Sequence, residues 1–358
     1  MTFAVVLHLA YWQLTIIKLL VVLSVVPLGA LVLGYVFLMK VMAHMQSRLG
    51  PMDSGGLASR PGLRENPFLP HGWFQLIGDF VKFVQKEDIF PALADRWVFA
   101  LAPAVVIMST FLLFVVVPAG PHLIAQNLDV GIFFALAVSS LSVLGVLMAG
   151  WASANKYSLM GALRAAGQLI AYELPMVLGI MGVVVQAGTM SLQGIVLAQA
   201  HGSIFGFGRL GEPFVITQFF GFLLFLAAAQ AELIQTPFDM PLAESELVAG
   251  YLTEYSGLRY LLFYMAETAS AFAFAAIAAT LFLGGWYLPG IGPSRQLADV
   301  IGPFVLGAKI MLVAFLIYWI RFTYPRLRED QLQTFAWKYL IPLSLVNILV
   351  TGILKVVF

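Results

Sequence analysis

WVFALAPAVVIMSTFLLFVVVP, residues 97–118, carries no ionisable side chain. Its length matches the roughly 20 apolar residues that cross a hydrocarbon core. GIFFALAVSSLSVLGVLMAGW at 131–151 repeats the pattern. Neither stretch alternates apolar and polar residues as a barrel strand does, so both read as helices that satisfy their own backbone hydrogen bonds in lipid. Working outward, six further stretches read the same way, at 14–38, 166–187, 214–234, 259–284, 302–321 and 336–357. The predicted fold is an all-α polytopic membrane protein of about eight transmembrane helices, forming a single membrane domain over 1–358.

Composition agrees. The 358 residues are 61% hydrophobic and 10% charged, with mean hydropathy +0.93. A soluble domain carries about 25% charged residues. That excludes a soluble enzyme, a nucleic-acid binder and a disordered chain. A net charge of +1 offers no field to recruit nucleic acid. Without cysteine, the chain offers no disulfide, thiolate zinc site or iron–sulfur cluster. His8, His44, His71, His122 and His201 fall near span ends or in loops, not paired inside spans as a transmembrane haem requires. No metal site is expected, and any redox cofactor belongs to partner chains.

Trp12, Trp97, Trp151, Trp286, Trp319 and Trp337 fall at span ends, where amphipathic rings meet headgroups. The odd-numbered loops hold Arg48, Arg60, Arg64, Lys82, Lys86, Arg96, Lys156, Arg164, Arg259, Arg321, Arg326 and Arg328. The even-numbered loops hold Arg209 and Arg295. The excess of basic residues puts the odd loops in the cytoplasm and both termini outside. The N-terminus lacks a basic leader and its apolar run reaches spanning length, so it reads as a retained helix.

The Gly-, Pro- and Ser-rich stretch 46–72 reads as a cytoplasmic loop. WFQLIGDFVKFVQKEDIF at 73–90 has apolar pairs at helical spacing, too interrupted to span. It reads as an amphipathic interfacial helix, with Asp79, Lys82 and Lys86 on its polar side, and as a lid over a cavity if it has a functional role. Ionisable groups inside spans cost roughly 2.5–3.5 kcal/mol each and mark function by default. Glu173 and Glu267 each lie about eight residues from a cytoplasmic span end, Glu232 closes span five, and Lys309 is expected nearer the midplane.

The stretch from Glu232 to Tyr255, ELIQTPFDMPLAESELVAGYLTEY, holds Glu232, Asp239, Glu244, Glu246 and Glu254. No Lys or Arg occurs from 210 to 258. Such acids should repel one another, and some should have raised pKa values if buried, which suits proton uptake near neutral pH. A solvated loop is the ordinary reading, but Pro237, Phe238, Pro241, Leu247 and Val248 are interleaved with the acids as if to pack.

TPFDMPLAESELVAGYLTEYSG at 236–257 resembles the fifth-to-sixth loop of the membrane protein of respiratory complex I that adjoins the quinone site. That protein is the H chain of bacterial NADH–quinone oxidoreductase, called ND-one in mitochondria. RLGP at 48–51, VQKEDIF at 84–90, ADRWVFALAP at 94–103, GWASANKYSLMGALR at 150–164, AYELP at 171–175, LGGW at 283–286 and PRLREDQL at 325–332 agree in order. The resemblance implies a bent bundle in the bacterial inner membrane, with a cavity that admits a quinone as substrate. It implies FMN and iron–sulfur clusters on peripheral partner subunits, and small membrane and antiporter-like pump subunits alongside. Carried over by motif, Glu173, Glu232, Glu244, Glu246, Glu267 and Lys309 form a proton path. Arg48, Asp79, Lys82, Phe238, Asp239, Arg326 and Arg328 fall on the quinone side.

The chain departs from that pattern in places. Leu38 and Met39 stand where a Glu-Arg pair is usual, GPMD at 50–53 replaces GPNR, Gln235 replaces an Arg, Leu242 replaces an acid, and Ser140 replaces a third-span acid of some members. The same fold serves as an equivalent subunit of a ferredoxin- or deazaflavin-linked oxidoreductase or a membrane-bound hydrogenase. A free-standing ion antiporter would need a repeat pair with broken helices, and none is visible. A pure scaffold would tolerate apolar residues at 173 and 267.

Overall fold

The computed structural model describes residues 11–51, 75–202, 212–288 and 296–357. Its main helices are α1 (Tyr11–Val36), α2 (Gln75–Gln85), α3 (Arg96–Leu113), α4 (Gly131–Ala152), α5 (Lys156–Ala187), α6 (Leu192–His201), α7 (Phe219–Glu232), α8 (Gly257–Phe282), α9 (Gln296–Thr323) and α10 (Ile341–Val357). Among the described residues, six helical stretches are long and apolar enough to cross a membrane: Arg96–Val116, Gly131–Ala152, Lys156–Ala187, Gly257–Phe282, Ala298–Thr323 and Glu329–Val357. Helix α1, with 26 residues, extends about 39 Å at 1.5 Å per residue. The expected fifth span, 214–234, is instead two pieces, Phe214–Thr217 and the 14-residue α7. The break is at Gln218, whose side chain leaves the helix pattern to donate to Thr351 Oγ1 (2.7 Å) and accept from Asn347 Nδ2 (3.1 Å) on α10.

Helix α8 is the bundle's centre. Ala266, Ala269, Ala271, Ala273, Ala275, Ala276, Ala278 and Ala279 are all buried, and the half of the helix from Ala271 to Phe282 is enclosed on every face. Small side chains let neighbours approach closely, which is how helices associate in lipid without a hydrophobic driving force. Helices α1, α3 and α9 pack around α8, while α4 leads from α3 to α5, and α5 carries α7 and α10. Close approach recurs at the α3–α4 crossing, where a Cβ on Gly145 would lie 2.4 Å from Val106 Cγ2.

Helix α5 has 32 residues and begins ten residues before its predicted span. Asn155 caps it by accepting from the Tyr157 amide (2.9 Å), and Gly188 at φ +73 ends it. Glu173 therefore sits near the middle of a long helix rather than eight residues inside one end. On α2, Ile77, Phe80, Val81 and Val84 are exposed along one face, while Phe83 stacks on Tyr260 of α8 at 5.9 Å. This fits the interfacial reading, over a helix shorter than the predicted 73–90. Residues 52–72 of the expected loop, Trp73 and Phe74 lie outside the described residues, as do His8 and His71 and the side chain of Trp12.

Trp97, Trp151, Trp319 and Trp337 are all exposed, as the span-end pattern requires. Trp286 departs from it. It is 2% exposed and donates from Nε1 to Gln193 Oε1 (3.2 Å). Gly284 and Gly285, at φ +77 and +50, fold the chain back after α8 and carry the indole inward.

Candidate functional site

A cavity of about 60 Å³ lies between α3, α4, α5 and α8. The end of α7 and the loop that follows it close one side through Glu232, Leu233, Ile234, Leu242 and Tyr251. Two acids predicted from the sequence, Glu232 and Glu267, share its wall. Glu232 is 9% exposed, and its Oε2 has no hydrogen-bond partner among the described residues. Glu267 accepts from Arg321 Nη1 at 3.0 Å. Glu173 on α5 is half-buried and close enough for its charge to act on Glu232.

Five serine and threonine hydroxyls add to the polar lining: Ser109, Thr110, Ser139, Ser142 and Ser270. Four of them donate within their own helices. Ser109 and Thr110 bond Val106 O at 2.7 and 3.1 Å, Ser139 bonds Leu136 O at 2.8 Å, and Ser270 bonds Glu267 O at 3.0 Å. A serine or threonine that bonds back to the preceding turn has spent its proton, so it presents acceptor lone pairs. Tyr251 lines the same wall. Burial first, then the nearby Glu267 and Asp239, push its phenol up, so it stays neutral at physiological pH.

The acidic loop is bound down rather than solvated. Gln168 of α5 is fully buried and donates to Ala231 O and Phe238 O, both at 2.7 Å. Gln230 donates to Thr236 O (3.0 Å), and Leu327 donates its amide to Pro237 O (2.9 Å). The expected mutual repulsion of uncompensated acids is not what the structure shows at Glu246. Its carboxylate accepts from Arg164 Nη1 at 2.6 Å and lies 3.6 Å from Arg326 Nη2. The bond from Arg164, with the charges of both arginines, holds its pKa below the ordinary glutamate value despite slight burial. The compensating cations come from distant parts of the sequence. Glu254 accepts from Asn155 Nδ2 at 2.5 Å. The side chain of Glu244 lies outside the described residues.

The NADH dehydrogenase family profile matches residues 17–352. The chain belongs to the NADH dehydrogenase family. A relative from Dehalococcoides mccartyi (strain CBDB1), named as the H chain of NADH-quinone oxidoreductase, is 45% identical over 298 residues, 83% of this chain and 78% of its own length. Relatives of the same name from Anoxybacillus flavithermus (strain DSM 21510 / WK1) and Geobacillus kaustophilus (strain HTA426) are 42% and 43% identical. They cover 94% and 89% of this chain, and 92% and 87% of their own.

In this NADH dehydrogenase-family chain, the quinone-side candidates do not line the cavity. Arg48 is exposed and bonds Gln46 Oε1 (2.9 Å). Asp79 accepts from Gln75 Nε2 (2.8 Å), and Lys82 is exposed. Asp79 acts electrostatically on Tyr264, three residues before Glu267 on α8. Phe238 is buried between Tyr172 (centroids 5.3 Å) and Phe335 (6.2 Å). Asp239 is half-buried and near Tyr251. Arg326 faces Glu246, while Arg328 pairs with Asp330 through two bonds of 2.6 and 2.5 Å.

Lys309 lies away from the cavity acids Glu232 and Glu267. Its Nζ donates to Gly285 O (2.8 Å) and Tyr287 O (2.7 Å) beyond the end of α8. Fifteen residues of α8 separate Glu267 from Phe282, about 22 Å at helical rise. The ammonium is held there because unsatisfied carbonyls past a helix C-terminus are strong acceptors. Sequence reading missed the cavity's hydroxyls and the buried glutamines Gln168 and Gln230. A helical signal was present for some: Ser139 and Ser142, like Glu267 and Ser270, are three apart and share a helix face. Among the described residues, no three His, Asp or Glu side chains gather as metal ligands would.

Proposed function

We propose that the chain is the membrane subunit that couples quinone reduction to proton movement in a proton-translocating NADH–quinone oxidoreductase of the bacterial inner membrane. The observation that carries this reading is the shared cavity of Glu232 and Glu267, closed by the tightly bound acidic loop. Quinone reduction takes two electrons and two protons. Electrons arrive from FMN and iron–sulfur clusters on peripheral partner subunits. The quinone headgroup binds on the cytoplasmic side, toward Arg48, Asp79, Lys82, Asp239, Arg326 and Arg328, with Phe238 as the packing support of the loop. A charge appearing there shifts the protonation of coupled acids through a low-dielectric interior. Protons then pass among Glu246, Glu244, Glu232, Glu173 and Glu267 toward antiporter-like pump subunits. Lys309 stands at the outer end of the bundle. Both termini face the periplasm.

The test is purification from native membranes in mild detergent, with partners identified by mass spectrometry. Co-purifying flavin, iron–sulfur and antiporter-like chains are the expected result, and the input subunit names the electron donor. A folded chain that emerges alone overturns the reading in favour of a free-standing transporter.

A further inference from the structure

A second, smaller cavity stacks on the first. It measures about 10 Å³, and Ser139 and Phe274 belong to both walls. Four helices place it on the side away from the acidic loop. Along α5 the lining moves from Leu169 to Met176 and Ile180, and along α8 from Glu267 to Ile277. On α7 it moves from Glu232 back to Phe225, and on α4 from Val146 back to Ile132. Ten residues of α8 separate Glu267 from Ile277, about 15 Å at helical rise. The start of α6 closes the far end, where Leu192 lines the wall and the Ile132 amide donates to Met190 O at 3.1 Å.

The two cavities differ in what they offer water. The first has about 60 Å³, two carboxylates and five serine or threonine hydroxyls. The second has room for about one water, which needs two to four polar partners to stay. Ser139 is the one polar residue in its described lining, and that hydroxyl has given its proton to Leu136 O at 2.8 Å. Met176, Ile180, Leu192 and Phe225 around it are at most 2% exposed. A water placed there would find one acceptor and no donor. Apolar constrictions of this kind gate by shedding water, and a proton relay needs an unbroken chain of waters or polar groups. We propose that the second cavity is a dry seal, with Phe274 as its partition, that keeps protons in the acid cavity from crossing to the opposite face of the bundle. Those protons leave only sideways or back toward the loop. The inference deepens the proposed coupling role and rests on it for the sideways exit alone.

The test reconstitutes the purified assembly in phosphatidylcholine vesicles that hold a pH-sensitive dye. A potassium diffusion potential drives passive proton flux, with neither quinone nor electron donor present. Phe274→Ser removes the partition and supplies a hydroxyl, and Ile180→Thr puts a hydroxyl in the wall of the seal. Each should raise the flux at least tenfold over the parent chain. Ile317→Thr on α9, as buried as Ile180 but outside both linings, should not. Phe274→Leu, which only shrinks the partition, replaces the serine variant should that one not fold. Hydroxyl-radical footprinting gives a second reading. Met176 should stay unoxidised in the parent chain and become oxidised in Phe274→Ser, once water enters. Folded variants as tight as the parent overturn the proposal, as does an equal leak in Ile317→Thr. Oxidation of Met176 in the parent overturns it without any variant. Both readouts work in an idle assembly, so failure of the seal is separable from failure of the coupling role.

Discussion

Arg321 on α9 holds Glu267 on α8, Nη1 to Oε1 at 3.0 Å, with both side chains about a quarter exposed. Removing one partner of a largely buried pair leaves the other charge without compensation. Arg321→Gln should lower stability by about 2–4 kcal/mol, between the exposed and fully buried limits. Glu267→Gln added to it should recover most of the loss. Thermal unfolding followed by tryptophan emission in detergent checks both, and an unchanged midpoint in Arg321→Gln would show the pair to be unimportant.

The tie from Glu246 to Arg164 and Arg326 carries a pH signature. Its pKa in the folded chain lies below the ordinary 4.5, so the carboxylate contributes stability above that value. The contribution is lost as pH falls from about 4.5 through the depressed folded value. Being half exposed, it is modest and screened by salt. Hydrogen exchange of the 241–256 segment should quicken over that acid range in the parent chain. In Glu246→Gln it should already be quick at pH 7 and show no such step.

Gly161 of α5 lies against Gly250 in the acidic loop, and a Cβ at 161 would meet Gly250 Cα at 2.7 Å. Gly250 itself has φ +55, and a Cβ there would meet Pro241 O at 1.9 Å. Gly161→Ala should cost about 1–3 kcal/mol by overpacking. Gly250→Ala adds roughly 1–2 kcal/mol for the left-handed backbone. Gly78 on α2 has nothing within 4 Å of its Cβ position, so Gly78→Ala should be neutral or slightly stabilising. Limited proteolysis within 241–256 ranks the three variants.

Glu173 adjoins Glu232 without an ion-pair partner of its own among the described residues. Glu173→Gln keeps its shape and removes its proton-carrying carboxylate. Proton translocation per electron should fall by half or more in vesicles, with assembly intact on native gels. Undiminished pumping would take Glu173 out of the path.

Much of the fold was legible because lipid imposes long apolar runs, and 97–118 and 131–151 are helices close to where they were expected. Glu232 and Glu267 were legible because charge inside a span is costly. What escaped depends on partners far away in sequence. The break at Gln218 is invisible in an apolar run, because its cause is Asn347 and Thr351. Glu246 looked uncompensated because Arg164 and Arg326 lie 82 and 80 residues away. The partners of Lys309 are carbonyls freed beyond α8, 22 and 24 residues away in sequence. The cavity serines gave a weak signal, because serine is common in membrane helices and satisfies itself there.

The inward turn of Trp286 gives the molecule an optical gauge. Trp97 is 82% exposed and Trp151, Trp319 and Trp337 are also open to their surroundings, while Trp286 is sealed against Gln193. Brominated lipid will darken the peripheral indoles and spare this one. With Trp12 and Trp73 replaced by phenylalanine, the surviving emission comes from the bend beside Lys309, and its colour follows the polarity at that end of the bundle while the opposite end turns over.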